Sequence, residues 1–133
     1  DLCDKTAVEL RRLIGCKDIS PVELLESCIT RIEAADGAVN AVVTRAFDRA
    51  RKEARHAEKT VLNGEELGLL HGLPVGIKDL EATDGIRTTL GSKLYSDHIP
   101  NKDQGSVANI RAEGDIIIGH IARLCLIVCL LKH

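Results

Sequence analysis

The sequence predicts an α/β fold in which helices cover a sheet of short strands. Helix start signals alternate with short aliphatic segments up to about residue 119, and this alternation is typical of α/β proteins. Hydrophobic residues make up 44% of the chain and charged residues 29%, which is the balance of a globular domain rather than a disordered one. A chain of 133 residues has room for one domain at most.

Aromatic residues are almost absent, which argues against nucleic acids as binding partners. The chain has one Phe, one Tyr and no Trp or Met, so its core must be aliphatic. Single-stranded nucleic acids are commonly bound by stacking bases on aromatic side chains, which this composition does not favour. The net charge of −2 is spread over interspersed charges, so the basic surface that binds duplex DNA is not predicted either. We expect no nucleic-acid partner.

Five cysteines stand at positions 3, 16, 28, 125 and 129. Their odd number and irregular spacing do not fit a disulfide framework, so reduced, structural thiols in a cytoplasmic protein are expected. The polar opening, Asp1 to Lys5, is not followed by the apolar segment of a secretory signal. Cys125 and Cys129 have the spacing of one helical turn, which leaves a zinc site open, but no second ligand pair stands near them.

Two helices are predicted at the start of the chain by capping boxes, in which a Ser or Thr precedes a Glu by three residues. Thr6–Glu9 begins the first helix and Gly15 ends it. Ser20–Glu23 begins the second, with a proline at its first position. Its apolar stripe continues to about Ala35, and the following Asp36-Gly37 pair predicts a turn.

A strand and a charged helix are predicted next. Residues Asn40 to Thr44 are β-branched and short, which favours a strand. Arg45 to Leu62 is rich in charge, with alanines at every third or fourth position, so it predicts a helix with one narrow apolar seam. We interpret the charged side chains as the solvent-exposed face of this helix. Asn63-Gly64 ends this helix.

The remaining elements alternate in the same way. Pro74–Lys78 predicts a second strand and Glu81–Gly85 a turn. Asp103 predicts the cap of a helix that runs to about Glu113. The inward side chains of this helix are expected to be Val107, Ile110 and Ala112, with Gly114 as its end and Asp115–Gly119 as a third, buried strand.

The chain is organised around the stretch from His71 to Ser92. An apolar segment, Leu73–Ile77, ends on one ionisable side chain, Lys78, and Asp79 follows at once. A glycine-bounded loop with two threonines comes next. A buried strand that ends on one ionisable group between glycine turns is a common way to build a site. A core strand that ends in a solvated lysine is the alternative interpretation.

These segments resemble the amidase signature family. Leu70–Asp79 follows the pattern Leu-x-Gly-x-Pro-x-x-x-Lys-Asp, and Gly85–Ser92 follows Gly-x-x-Thr-Thr-x-Gly-Ser. Asp103 and the run from Val107 to Gly119 are similar to the next helix and strand of the family. The resemblance covers about residues 5–119. It implies a partial fold, in which N-terminal helices and the first strands of a larger mixed sheet are present, and it divides the chain into residues 1–119 and a divergent tail, residues 120–133.

The resemblance also implies a chemistry, the hydrolysis of a carboxamide C–N bond through a serine acyl-enzyme. Family members use a serine nucleophile, a second serine on a cis peptide bond and a lysine. Lys78 matches that lysine, which must be neutral to act as a base and therefore partly desolvated. No metal or organic cofactor is implied. The amides used within the family range from small amides to glutaminyl groups delivered to misacylated tRNA.

The match ends abruptly near the last strand. Family members continue into Gly-Lys-Thr-Asn and then a Gly/Ser-rich loop that carries the relay serine, whereas this chain has Gly119-His120-Ile121-Ala122. Asp115 also stands where a small apolar residue is usual. The Gly/Ser-rich loop does not occur in the sequence, so we expect a truncated or frame-shifted fragment that is inactive alone.

The tail leaves other functions open. Leu124–Leu131 is almost entirely aliphatic, and it predicts a non-catalytic remnant or an interaction module that associates with itself through this segment. The apolar run is short of the roughly 20 residues that span a bilayer, so a membrane anchor is not favoured. A Schiff-base enzyme that uses Lys78 alone has no supporting site beside it. Three strands with open edges also predict marginal stability or oligomerisation.

Overall fold

The structure is a computed structural model that describes residues 1–122 of the chain. This part contains four α-helices, three β-strands and two 3₁₀ turns. The helices are α1 (Ala7–Gly15), α2 (Pro21–Val39), α3 (Phe47–Leu62) and α4 (Gly105–Ala112), the strands are β1 (Val42–Arg45), β2 (Pro74–Lys78) and β3 (Ile116–Ile121), and the 3₁₀ turns are Leu2–Asp4 and Lys93–Tyr95. The predicted α/β class is confirmed.

The three strands form one mixed sheet in the order β1-β3-β2. Strand β3 pairs antiparallel with β1 and parallel with β2. Every residue of β3 is buried, because it is the central strand and helices or loops cover both of its faces. It extends two residues beyond the predicted Gly119, so His120 and Ile121 belong to the sheet. Strand β2 has the predicted bounds.

Both capping boxes are confirmed. The Thr6 hydroxyl accepts a hydrogen bond from the Glu9 amide at 3.2 Å, and the Glu9 carboxylate accepts one from the Thr6 amide at 2.8 Å. Ser20 and Glu23 make the same reciprocal pair at 3.0 and 2.8 Å. Each box satisfies two amides that a helix N-terminus leaves without partners, and α1 and α2 begin where the sequence predicts.

The predicted turn at Asp36-Gly37 is wrong. Helix α2 continues to Val39 and ends on Asn40, which has a left-handed backbone with φ of 51°. The Asp36 carboxylate accepts hydrogen bonds from the amides of Ala41 (2.7 Å) and Val42 (3.1 Å). Burial alone would raise the pKa of Asp36, but these hydrogen bonds hold it below its ordinary value. Asp36, which lies within α2, therefore holds the turn after this helix in place by hydrogen bonds.

The predicted cap of α4 is also wrong. The helix begins after Gln104 without a side-chain cap. The Asp103 carboxylate instead accepts a hydrogen bond from the Asp84 amide at 2.8 Å and pairs with Arg111 at 2.8 Å. Ala112, predicted to face inward, is exposed, because only one narrow stripe of this short helix contacts the sheet.

The main core lies between the sheet and the two long helices. The alanine seam of α3 is confirmed, since Ala50 and Ala54 are fully buried against α2 and β3. Small side chains let α3 approach the sheet closely, and Leu25, Ile29 and Ile118 fill the space between the layers. On the other face of the sheet a smaller cluster joins Ile77, Ile86, Val107 and Ile117.

Two predictions concern a membrane span and the aliphatic segment at the C-terminal end. Within residues 1–122, no helix has both the length and the apolar character needed to cross a membrane. The segment Leu124–Leu131, with Cys125 and Cys129, lies outside the described residues, and so do the predictions of self-association and zinc binding made for it.

Candidate functional site

Lys78 is the last residue of β2 and pairs with Ile121 of β3. Side chains alternate along a strand, so the buried Ile77 faces the core while Lys78 faces the opposite side and is exposed. Within residues 1–122 its amine has neither an ion pair nor a side-chain hydrogen bond. The structure therefore differs from the expected partly desolvated amine, because this part of the chain leaves Lys78 uncovered at the end of the strand.

Asp79 joins the strand end to the loop that carries the two threonines. Its carboxylate accepts a hydrogen bond from the Thr89 amide at 2.9 Å, and the Thr89 hydroxyl donates to its other oxygen. The Asp79 amide donates to the carbonyl of Ile121 at 3.0 Å. Asp79 is thus held by hydrogen bonds both to the loop and to the central strand.

His120 completes this cluster, although the sequence pattern assigned it to the divergent tail. The ring is fully buried, with Nδ1 3.0 Å from an Asp79 carboxylate oxygen and Nε2 2.9 Å from the Thr83 hydroxyl. An ionised carboxylate can only accept, so Nδ1 carries the proton and donates to Asp79. Its partners Asp79 and Thr83 lie 41 and 37 residues away in sequence, so no local pattern could have identified it.

The hydrogen bonds keep Asp79 ionised. Burial alone would raise the pKa of this carboxyl group, but the two hydrogen bonds from Thr89, together with His120, hold the pKa below its ordinary value. The buried Asp79 therefore carries a fixed negative charge directly beside the lysine in sequence.

A cavity of about 340 Å³ opens beside this cluster. Asp79 and Thr89 contribute its polar wall, and Val43, Leu80, Leu90, Gly91 and Ala122 complete the lining. The cavity is lined mainly by apolar side chains, with Asp79 and Thr89 as its one polar wall. It lies at the same end of the sheet as Lys78, whose strand partner Ile121 precedes Ala122.

Two serines of the described residues, Ser92 and Ser106, have local hydrogen-bond partners. Ser92 accepts a hydrogen bond from the Leu94 amide at 3.3 Å and caps a 3₁₀ turn. Ser106 donates to the Glu81 carboxylate at 2.6 Å. Within residues 1–122, no serine hydroxyl is hydrogen-bonded to Lys78. The geometry thus holds a lysine at a strand end beside a loop that Asp79 fixes by hydrogen bonds.

Asp115 lies apart from this cluster, on the wall of a cavity of about 440 Å³ between α3 and the start of β3. The residue is 7% exposed. In the part of the chain that the structure describes, neither of its carboxylate oxygens has a hydrogen-bond partner. Burial raises the pKa of Asp115 to about 6. A small uncharged side chain at this position would avoid that penalty.

Replacing Asp115 by alanine is expected to stabilise the protein, and more so at high pH. The folded-state pKa of about 6 lies above the ordinary 3.8, so the folded state prefers the protonated acid and loses stability as the pH rises from about 4 to about 6. The difference corresponds to about 2–3 kcal/mol. Asp115→Ala should therefore raise the free energy of unfolding by about 2 kcal/mol at pH 8, and by much less at pH 4, in urea titrations.

The matched control for this change is Asp18→Ala, which removes an exposed carboxylate and should leave the free energy of unfolding nearly unchanged. An equal effect of Asp115→Ala at pH 4 and pH 8 would show that the buried charge is not the cause.

Comparison with known proteins shows the family. The amidase family model matches residues 23–122. A glutamyl-tRNA(Gln) amidotransferase subunit of Geotalea daltonii is 38% identical over 121 residues, which are 91% of this chain and 25% of that protein. The corresponding subunit of Moorella thermoacetica is 39% identical over 116 residues, 87% of this chain and 24% of that protein. The chain thus spans about a quarter of the length of these curated relatives.

The fold agrees with the sequence comparison. A crystal structure of a bacterial aryl acylamidase of the amidase signature family superposes with a TM-score of 0.83 and 34% identity, over 89% of this chain and 25% of that one. The matched region includes the strand that carries Lys78 and the loop that Asp79 holds, which are the segments that first suggested the resemblance. The chain belongs to the amidase signature family, of whose domain it represents an N-terminal part.

Proposed function

We propose that residues 1–122 form the lysine-bearing part of an amidase that hydrolyses a carboxamide C–N bond, with Lys78 as its general base. The observation that carries the proposal is the position of Lys78 at the end of β2, directly before the buried Asp79 and its hydrogen bonds to the Thr89 loop. The strand thus holds the Lys78 amine in place. Within residues 1–122 the amine makes no side-chain hydrogen bond or ion pair that would stabilise the fold.

In the proposed reaction, the neutral amine of Lys78 accepts a proton that is relayed from a serine hydroxyl as the serine attacks the amide carbon. The proton then passes to the amide nitrogen, the C–N bond breaks, and water later hydrolyses the serine ester. The remaining part of a family domain would have to cover Lys78, because burial favours the neutral amine that a general base requires.

We further propose that the 133 residues alone do not hydrolyse amides. A lysine without a serine cannot form an acyl-enzyme, and removal of single members of such a catalytic set lowers rates by several orders of magnitude. The substrate class proposed for the completed enzyme is a small carboxamide, by analogy with the aryl acylamidase. A cytoplasmic location is proposed from the cysteine pattern, which does not fit a disulfide framework.

A chimera tests the proposal. Residues 1–119 replace the matched quarter of the bacterial aryl acylamidase, and hydrolysis of para-nitroacetanilide is followed by the absorbance of the released nitroaniline. We expect the chimera to act within about a hundredfold of the intact acylamidase, since small displacements of a catalytic group have effects of this size. The 133-residue chain should give no release above the blank. A folded chimera without activity, or an active 133-residue chain, would contradict the proposal.

A further inference from the structure

Two sulfur atoms meet where the first 3₁₀ turn packs on α2. The Cys3 thiol donates a hydrogen bond to the Cys28 sulfur at a distance of 3.8 Å. Cys3 is buried and Cys28 is half-buried beside the core cluster that α1 and α2 share. Cys16, in contrast, is exposed at the end of α1. The pair is 25 residues apart in sequence, so its proximity comes from the fold.

Hydrogen bonds and ion pairs near the two cysteines hold the Leu2–Asp4 turn against α2. The Asp1 carboxylate accepts hydrogen bonds from the Ser27 hydroxyl and from the Cys3 amide, both at 3.1 Å. Arg31 forms ion pairs with Asp1 and Asp4. Ser27 and Arg31 lie on α2, directly before Cys28 and one turn after it, so the 3₁₀ turn is fastened to the helix around the sulfur pair.

We propose that Cys3 and Cys28 are a redox-sensitive pair that small disulfides of the glutathione class convert to a disulfide. A disulfide has a sulfur–sulfur distance of about 2.05 Å, so the two atoms must approach by less than about 2 Å. The Leu2–Asp4 turn has only three residues, and a shift of this turn is a smaller change than a shift of the long helix α2. This inference does not depend on the proposed amidase activity.

The reaction is a thiol–disulfide exchange in two steps. The thiolate of Cys28, the more accessible of the two, attacks one sulfur of the small disulfide and releases one thiol, leaving a mixed disulfide. The thiolate of Cys3 then attacks the Cys28 sulfur and releases the second thiol. The two cysteines lose two electrons and two protons, and the small disulfide gains both.

The bond would close a loop that contains all of α1. Closing a loop of this length reduces the freedom of the unfolded chain and stabilises the folded one. The oxidised protein should therefore melt at a higher temperature than the reduced protein, by at least about 5 °C for a domain of this size.

The experiment uses the full 133-residue chain carrying Cys125→Ser and Cys129→Ser, so that cysteines 3, 16 and 28 remain. The protein is equilibrated with mixtures of reduced and oxidised glutathione, quenched in acid, alkylated and digested. Mass spectrometry should find the peptides of Cys3 and Cys28 cross-linked, with the loss of two hydrogens, in most molecules at oxidising ratios. Dithiothreitol should reverse the bond and lower the melting temperature again.

Further variants decide the outcome. Adding Cys16→Ser should leave the cross-link and the rise in melting temperature unchanged, whereas adding Cys28→Ser should abolish both. If Cys28→Ser disturbs the packing of the core, Cys28→Ala replaces it as the variant that lacks this thiol. Cross-links that involve Cys16, or glutathione attached to Cys28 without a cross-link to Cys3, would overturn the proposal.

Discussion

Replacing Lys78 by alanine in the aryl acylamidase chimera is expected to lower amide hydrolysis at least about a thousandfold, because the proton acceptor for the serine is lost. The measurement is kcat/KM for para-nitroacetanilide. The melting temperature of the variant chimera is measured as well and should equal that of the unchanged chimera. The loss of rate would then report on the chemistry rather than on folding.

Two variants accompany this change. Lys78→Arg keeps the positive charge but cannot give up its proton near neutral pH, so it should be as inactive as the alanine variant if the lysine acts as a base. Lys59→Ala removes an exposed lysine from α3 and should leave kcat/KM unchanged. Retention of more than about a tenth of the activity by Lys78→Ala would rule out Lys78 as the base.

Replacing Gly119 by alanine is expected to destabilise the 133-residue chain by about 3 kcal/mol or more, through steric overlap and backbone strain. A Cβ atom at this position would lie 2.1 Å from the carbonyl oxygen of Thr44 and 3.3 Å from the Cα atom of Arg45. Its backbone also has φ of 150°, which side-chain-bearing residues rarely adopt. Gly119 lies in the central strand between β1 and β2, so neither neighbour can move away without breaking the sheet.

The matched control is Gly37→Ala in α2. A Cβ atom there would contact nothing within 4 Å, and alanine favours the helix over glycine by about 0.5–1 kcal/mol. The two alanine variants should therefore shift the urea midpoint in opposite directions. A Gly119→Ala protein with an unchanged midpoint would show that strand β1 does not pack against β3 as described.

Local signals in the sequence predicted the elements whose stabilising contacts are also local. Thr6 with Glu9 and Ser20 with Glu23 are three residues apart, so the partners of each capping box could be recognised without the fold. Strand β2 was predicted with its observed bounds because its aliphatic run is short and ends on a charged residue. The resemblance to the amidase signature family rested on the same contiguous segments.

Predictions failed where a side-chain contact beyond one helical turn overrode the local preference. Asp36-Gly37 has the composition of a turn, but the Asp36 carboxylate binds the amides of Ala41 and Val42, and the helix continues through the glycine. Asp103 has the composition of a helix cap, but Arg111 and the Asp84 amide occupy its carboxylate. In both cases a side chain found partners that only the folded chain supplies.

Contiguous residue patterns were enough to predict the α/β class, the start of both N-terminal helices, the family and the position of Lys78 at the end of a strand. The exposure of Lys78 in this part of the chain, and the contact of Asp79 with His120, 41 residues away, became visible only in the folded chain. The physical reason is that sequence patterns record the preferences of neighbouring residues. Burial and the pairing of distant polar groups are set by how strands β2 and β3 pack side by side.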